Sequence, residues 1–245
     1  MRAYLCIDDT DNLDSIVTGE LLEHLCAALK QAGLGTGGFV TRHQLFVHED
    51  IPYTSHNSAM CTEVTLENPE AVARFAGEYL RAHAAQGSDP GMCLLLPDEL
   101  EGAASLLDYG RRAQTEILSK DDAWQVARAY PGRVWLSEHG GTGIGIIGAL
   151  AGAALRLTGS DGRVKGKIHP ETPGERLTVG EFCHKYGFHQ AVREEDGTPV
   201  GEDEPLVFRE QTKAVYLDHK ITAQLVWHGD HWEPKPKLRR EKAKK

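Results

Sequence analysis

Long apolar runs are missing from this sequence. None of 18 or more residues occurs in its 245 positions, and a membrane-spanning helix needs about 20. Met1–Ile7 runs straight into acidic residues, without the apolar stretch and small-residue cleavage site of a secretory leader. These absences lead to the expectation of a cytoplasmic protein with no membrane partner. Cysteine is sparse: Cys6, Cys26, Cys61, Cys93 and Cys183, odd in number and with no CxxC pair. That argues against a disulfide framework and a zinc ribbon and predicts buried, reduced thiols. The 12 histidines form no HxxxH or HExxH pattern. Positive charge is short too, with 27 Lys and Arg against 36 Asp and Glu. The tail from Lys235 to Lys245 carries seven bases and one acid, a net +6, which leaves −15 for the rest of a chain whose total is −9. A body that acidic is unlike a generic nucleic-acid surface and suits a pocket that holds cations. The tail reads as a solvated, disordered end.

Alternation and helical spacing divide what is present. Strands are expected over 2–8, 39–47, 60–66, 91–96 and 133–136, and helices over 18–32, 69–85, 98–108, 120–130 and 144–157. After about residue 160 the composition shifts to Gly, Pro and charge. One helix is expected there over 178–186, with strands over 188–193, 205–208, 213–217 and 221–227. Asp196-Gly197 and Gly229-Asp230 are hairpin turns by type. The pattern predicts an α/β or α+β layered sheet with helices over 1–159, a small β-rich region over 160–234, and the basic tail over 235–245.

Asp8, Asp9, Asp11 and Asp14 fall within seven positions, where the first strand ends and a helix is about to begin. Magnesium is held by oxygen ligands, often one or two carboxylates plus substrate phosphates, and a helix amino end favours the same anions. A helix cap accounts for one such acid, not for three in Asp8-Asp9-Thr10-Asp11. Between two later strands Arg42 precedes the polar segment 48–58, whose Thr54 and Asn57 could fix a base or a phosphate; an ordinary polar loop is the plainer alternative. Gly141, Gly143, Gly145 and Gly148 open the last apolar helix, where glycine lets backbone N–H groups approach an anion. Gly143, Gly145 and Gly148 also spell GxGxxG, a weak dinucleotide signal taken alone. Close helix packing is the structural alternative.

Asp8-Asp9-Thr10-Asp11 followed by Thr18-Gly19 and an apolar helix resembles the catalytic domain of archaeal 2-agmatinylcytidine synthetases, which modify an isoleucine tRNA. Two further segments resemble the same family in the same order. Arg42, Pro52, Thr54, Asn57 and Ala59 fall at comparable places in its polar loop, and Ile147-Gly148-Ala149-Leu150-Ala151 is close to its Ile-Gly-Ala-Leu-Ala-Ala. The resemblance covers roughly residues 1–157. Tyr53, Ser55 and His56 stand where the family has Lys, Arg and Gly, and the family's zinc ribbon has no counterpart.

The resemblance implies a ferredoxin-like or kinase-like catalytic region that uses ATP and magnesium. Asp8, Asp9 and Asp11 would hold metal or act in catalysis, and Thr18 would accept a phosphoryl group. Arg42, Thr54, Asn57 and Gly141, Gly143, Gly145 and Gly148 would bind the nucleotide. The leading expectation is an ATP-dependent phosphotransferase or ligase-like enzyme whose second substrate is RNA or a small molecule. Two rivals are an NAD-dependent oxidoreductase built on the GxGxxG and a nucleotide-binding module without activity.

Overall fold

The computed structural model describes residues 1–51, 57–100 and 103–236. The chain divides into two compact units, one from Met1 to Gly162 and one from Arg163 onward. No helix among the described residues is long and apolar enough to cross a membrane.

The first unit contains, in order, β1 (Arg2–Asp8), α1 (Thr18–Gln31), β2 (Gly35–Gln44), β3 (Ser58–Leu66), α2 (Pro69–His83) and β4 (Gly91–Leu95). A 3-10 turn (Pro97–Glu99), α3 (Ala104–Arg112), α4 (Lys120–Arg128), β5 (Val134–Glu138) and α5 (Ile146–Leu157) complete it. Its strands lie in the order β5-β4-β1-β3-β2, and every pairing is antiparallel. Strand β1 sits at the centre, with Cys6 opposite Cys61 on one side and Cys93 on the other.

Successive side chains of a strand point to opposite faces, and β1 shows why both faces of this sheet are dry. Ala3, Leu5 and Ile7 pack with Leu21, Leu22, Leu25 and Leu29 of α1 and Val72, Ala76 and Leu80 of α2. Tyr4 and Cys6 pack the other way, with Leu106 and Tyr109 of α3, Ala123 of α4 and Leu150 of α5. The result is an α+β unit of three layers. The buried cysteines are free thiols inside it, as expected.

Local chemistry sets the helix ends. Asn68 caps α2 by accepting the Ala71 N–H at 3.0 Å, and Pro69 takes the first position. Ser119 and Asp122 form a capping box on α4. Helix α5 is almost wholly buried, and Gly152 lets it approach the sheet: a Cβ there would press on Cys6 Sγ at 2.6 Å and Ala59 Cβ at 2.7 Å. Arg156 of the same helix is 1% exposed. Its guanidinium lies 4.5 Å from the centre of the Phe39 ring and donates to Thr41 Oγ1 at 2.8 Å.

The oxidoreductase expectation fails on topology. A dinucleotide fold needs parallel strands joined by crossover helices. Here β5 precedes the glycine segment but runs antiparallel to β4, and no parallel pair occurs among the described strands of this unit. The literal GxGxxG is therefore not a dinucleotide fingerprint.

The second unit contains β6 (Arg163–Val164), β7 (Glu175–Thr178), α6 (Val179–Tyr186), β8 (Gln190–Arg193), β9 (Pro205–Phe208), β10 (Val215–Leu217), β11 (Lys220–Trp227) and β12 (Trp232–Pro234). Strands β6-β10-β11-β12-β9-β7 are neighbours in that order, and β8 runs parallel to β11. Phe182, Phe188, Phe208, Leu225 and Trp232 fill its core. Gly229-Asp230 turns β11 into β12, pairing Trp227 with Trp232. The β10–β11 hairpin turns instead through Asp218 and His219, both left-handed at φ 50° and 58°.

Candidate nucleotide site

A cavity of about 400 Å³ opens in the first unit where β1 ends. Asp8 closes β1, and Asp9 takes a left-handed backbone at φ 51° that turns the chain sharply out of the strand. Asp, unlike a β-branched residue, tolerates that conformation. Asp8, Asp9 and Asp11 line the cavity with Val17 and Thr18 from the start of α1. Arg42 arrives from β2, Asn57 and Ser58 from the start of β3, and Gly145 and Gly148 from the start of α5. Two helix amino ends, each partially positive, thus meet the carboxylates in one space.

Thr18 does not cap its helix. Val17 holds the N-cap position without a side-chain bond, and the Thr18 hydroxyl donates to Asp11 Oδ1 at 3.1 Å. Thr18 is 6% exposed, so this bond fixes a hydroxyl at the cavity wall beside the carboxylate that accepts its hydrogen bond. Asp14 is exposed, is not a lining residue, and takes part in a local turn through Asn12.

Asp8 and Asp9 are half-buried. Burial, with the charge of Asp9 added, pushes the Asp8 carboxyl up to about 8. Burial and the charge of Asp89 push Asp9 up to about 6. The described lining carries five carboxylates, with Asp50 and Glu116 beside the three aspartates, against the one guanidinium of Arg42. A triphosphate entering alone would meet net repulsion; a divalent cation would remove it.

The donor set fits such a cation. It is all oxygen, the preference of magnesium over softer metals. Among the described residues no three carboxylate, imidazole or thiol groups converge as a complete metal site. The expected trio Asp8, Asp9 and Asp11 shares one cavity wall, without forming a closed cage. One or two carboxylates with phosphates completing the shell is the usual magnesium arrangement.

The glycine segment behaves differently from its expected role. Gly141 and Gly143 do not line the cavity. Their left-handed φ values of 53° and 71° shape a turn, and a Cβ would overlap the Asp89 carboxylate at Gly141 and that of Glu138 at Gly143. The Gly143 N–H donates to Gly140 O and the Gly145 N–H to Asp89 O, both at 3.1 Å. The donors expected for phosphate at Gly143 and Gly145 are thus spent inside the turn. Gly145 and Gly148 serve by being small: a Cβ on Gly148 would overlap Asp8 Oδ2, and one on Gly145 would lie 2.9 Å from Asp8 O. Asn57 lines the cavity while its Nδ2 donates to Phe46 O at 2.6 Å, and Arg42 donates to Gln44 Oε1 at 3.0 Å. Thr54 lies outside the described residues, as do Pro52, Tyr53, Ser55 and His56.

Two features escaped the sequence. Asp89, in what reads as an ordinary Asp-Pro-Gly turn, accepts the Thr142 N–H on its carboxylate and acts on the charge of Asp9. Asp161 lies 2.7 Å from Nδ1 of the fully buried His43, whose Nε2 is 2.8 Å from Thr41 Oγ1. Asp161 also accepts from Gln114 at 3.0 Å. This network ties β2, the strand that carries Arg42, to the segments after α3 and α5. Both carboxylates find their partners across more than forty residues, beyond any motif window.

No family model and no curated protein matches the chain. Solved structures do. A crystal structure of TiaS in complex with an isoleucine tRNA and ATP is similar over 63% of this chain at 27% identity and a TM-score of 0.55. A structure described as a tRNA fluorescent labeling enzyme matches over 77% at 25% identity and 0.54. The complex of TiaS with the same tRNA, AMPCPP and agmatine matches over 76% at 24% identity and 0.54, a likeness of fold. TiaS is an agmatidine synthetase for that isoleucine tRNA, so these neighbours agree with the family resemblance in the sequence. The chain spans 36% to 45% of the length of these three structures.

Proposed function

We propose that this chain is an ATP- and magnesium-dependent enzyme of phosphotransferase or ligase type that acts on RNA. The observation that carries the reading is the meeting of Asp8, Asp9, Asp11 and Thr18 with the amino ends of α1 and α5 in one cavity. The likeness to a TiaS structure solved with tRNA and ATP supports the same nucleotide and the same class of second substrate.

Asp8, Asp9 and Asp11 would hold magnesium, which supplies charge neutralisation for the triphosphate. The protein's own part is positioning and electrostatics, as in phosphoryl transfer generally. Helix α1 and helix α5 present positive ends to the phosphates. Arg42 adds one fixed cation. Leu45, Met60 and Ile147 give the cavity an apolar wall suited to a base. Thr18 Oγ1 would attack the γ-phosphorus of ATP as its bond to the bridging oxygen breaks and ADP leaves, and the hydroxyl proton would pass to Asp11, the carboxylate it already touches.

The test is incubation of the protein with magnesium and ATP labelled in the γ-phosphate, followed by peptide mass mapping. Label on the peptide containing Thr18, lost in Thr18→Val, is the expected result. ATP bound over long incubation with no product and no labelled peptide would instead identify a nucleotide-binding module without activity.

A further inference from the structure

A second concavity, of about 600 Å³, lies in the first unit along β5, the edge strand of its sheet. It shares no lining residue with the first cavity. Its charge is opposite. Arg74 and Arg81 project from α2, seven residues apart and so on one face of the helix, and Arg128 projects from α4. All three are exposed. Among the described residues Glu70 is the one carboxylate in the lining, and no carboxylate makes an ion pair with any of the three.

The rest of the lining is aromatic and small. Trp135 of β5 packs toward the α1 and α2 side of the sheet, and Trp124 of α4 toward the other, so the groove wraps the sheet edge between two indoles. Trp124 is held in place: its Nε1 donates to Glu138 Oε1 at 3.2 Å, and the Arg128 guanidinium stands 5.7 Å from its ring centre. Gly77 opens the floor, where a Cβ would overlap the His139 ring. Burial and neighbouring Arg81 hold His139 down to about 4, so its imidazole is neutral at physiological pH and the groove's charge comes from the arginines.

We propose that this groove binds a single strand of RNA, with bases stacking on the Trp124–Arg128 and Trp135 surfaces and phosphates meeting Arg74, Arg81 and Arg128. Indole and guanidinium planes accept any base face, and a row of arginines tracks a phosphate backbone. An acidic peptide would use the arginines but would leave the indoles without stacking partners. The proposal deepens the reading of RNA as second substrate, while the groove takes no part in the ATP chemistry.

The experiment is fluorescence anisotropy of the full chain with a labelled 12-nucleotide single-stranded RNA, over a range of salt. The double variant Arg74→Glu/Arg128→Glu should bind about tenfold more weakly or worse, with a salt slope shallower by about two. Trp124→Ala should weaken binding, and Trp124→Phe should restore most of it, a rescue that loss of charge alone does not predict. ATP binding in the first cavity, measured in parallel by calorimetry, should stay at the wild-type value in every variant. That separates this proposal from the proposed function. RNA affinity unchanged in the double variant would place the strand elsewhere and overturn the proposal. So would competition by polyglutamate, or by AMP alone, as strong as that of unlabelled RNA.

Discussion

The acidic cavity and the arginine groove are built on one five-stranded sheet, and they differ in how their charge is made tolerable. The cavity concentrates five carboxylates, two of them half-buried and pushed toward neutrality. The groove spreads three arginines over exposed helix faces. Buried like charges raise the free energy of the empty site, and a bound counter-ion would relieve them. Exposed like charges cost little, act at longer range and respond to salt. A net charge of −9 conceals both.

The sharpest way to separate the two regions is to remove one carboxylate. Asp9→Ala should lower magnesium-dependent ATP turnover by about a hundredfold or more, the scale for losing a preorganised electrostatic group, and leave RNA affinity alone. Wild-type turnover in the variant would end the metal role of the cavity. A steric break comes next. Gly148→Val places a side chain on the Asp8 carboxylate and should cost about 1–3 kcal/mol of stability from overpacking, along with ATP affinity. Gly132→Val is the control: its Cβ would meet nothing within 4 Å, and although its φ of 70° strains the backbone, ATP affinity should hold. Equal ATP affinity in Gly148→Val and the wild-type protein would show that α5 can retreat from β1.

The same contrast marks what the sequence could and could not reveal. Strand β1 and helices α1, α2 and α5 were legible because their apolar positions form long runs at strand or helix spacing, and α2 also carries its Asn68-Pro69 start signal. The cavity was legible at Asp8, Asp9, Asp11 and Thr18, which crowd one short segment. The role of Gly141 and Gly143 was not. Glycine permits both an open anion cradle and a closed turn, and only the positions of Asp89 and Glu138, on other elements, decide for the turn. Asp89 and Asp161 were missed because their partners are distant in the chain. The β10–β11 hairpin turn hid in Asp218-His219, which lacks the glycine that usually announces left-handed backbone. The groove was invisible for another reason. Arg74, Trp124 and Arg128 belong to no motif and lie on two separate helices, and the sheet edge between them exists only in the fold.

A smaller effect, of opposite sign in the two regions, appears on titration. Asp8 is raised to about 8 in the folded protein, above the ordinary carboxylate value near 4. The unfolded chain therefore loses this proton first, and stability of the metal-free protein should fall as pH rises from about 4 to about 8. In chelator, melting curves of Asp8→Asn should be flatter than wild type across that window. Parallel curves would mean that Asp8 is already ionised in the fold.

His139 in the groove runs the other way. Its value is lowered to about 4, below the ordinary 6.5. The unfolded chain binds a proton there that the folded protein refuses, so its stabilising contribution is complete above about 6.5 and is lost as pH falls toward 4. The ring is partly open to water, which screens the effect, and a shift of about 2–4 °C in melting temperature is the expected scale. His139→Gln keeps polar atoms near Ser137 and Arg81, the present partners of the ring at 2.7 and 3.0 Å, but cannot take up the proton. Its melting temperature should exceed wild type by that margin at pH 4.5, relative to their difference at pH 7.5. If wild type and variant instead shift together, the acid-side loss belongs to other groups. The groove histidine would then be as free to charge as one in water, and the neutral floor assigned to the RNA groove would be wrong.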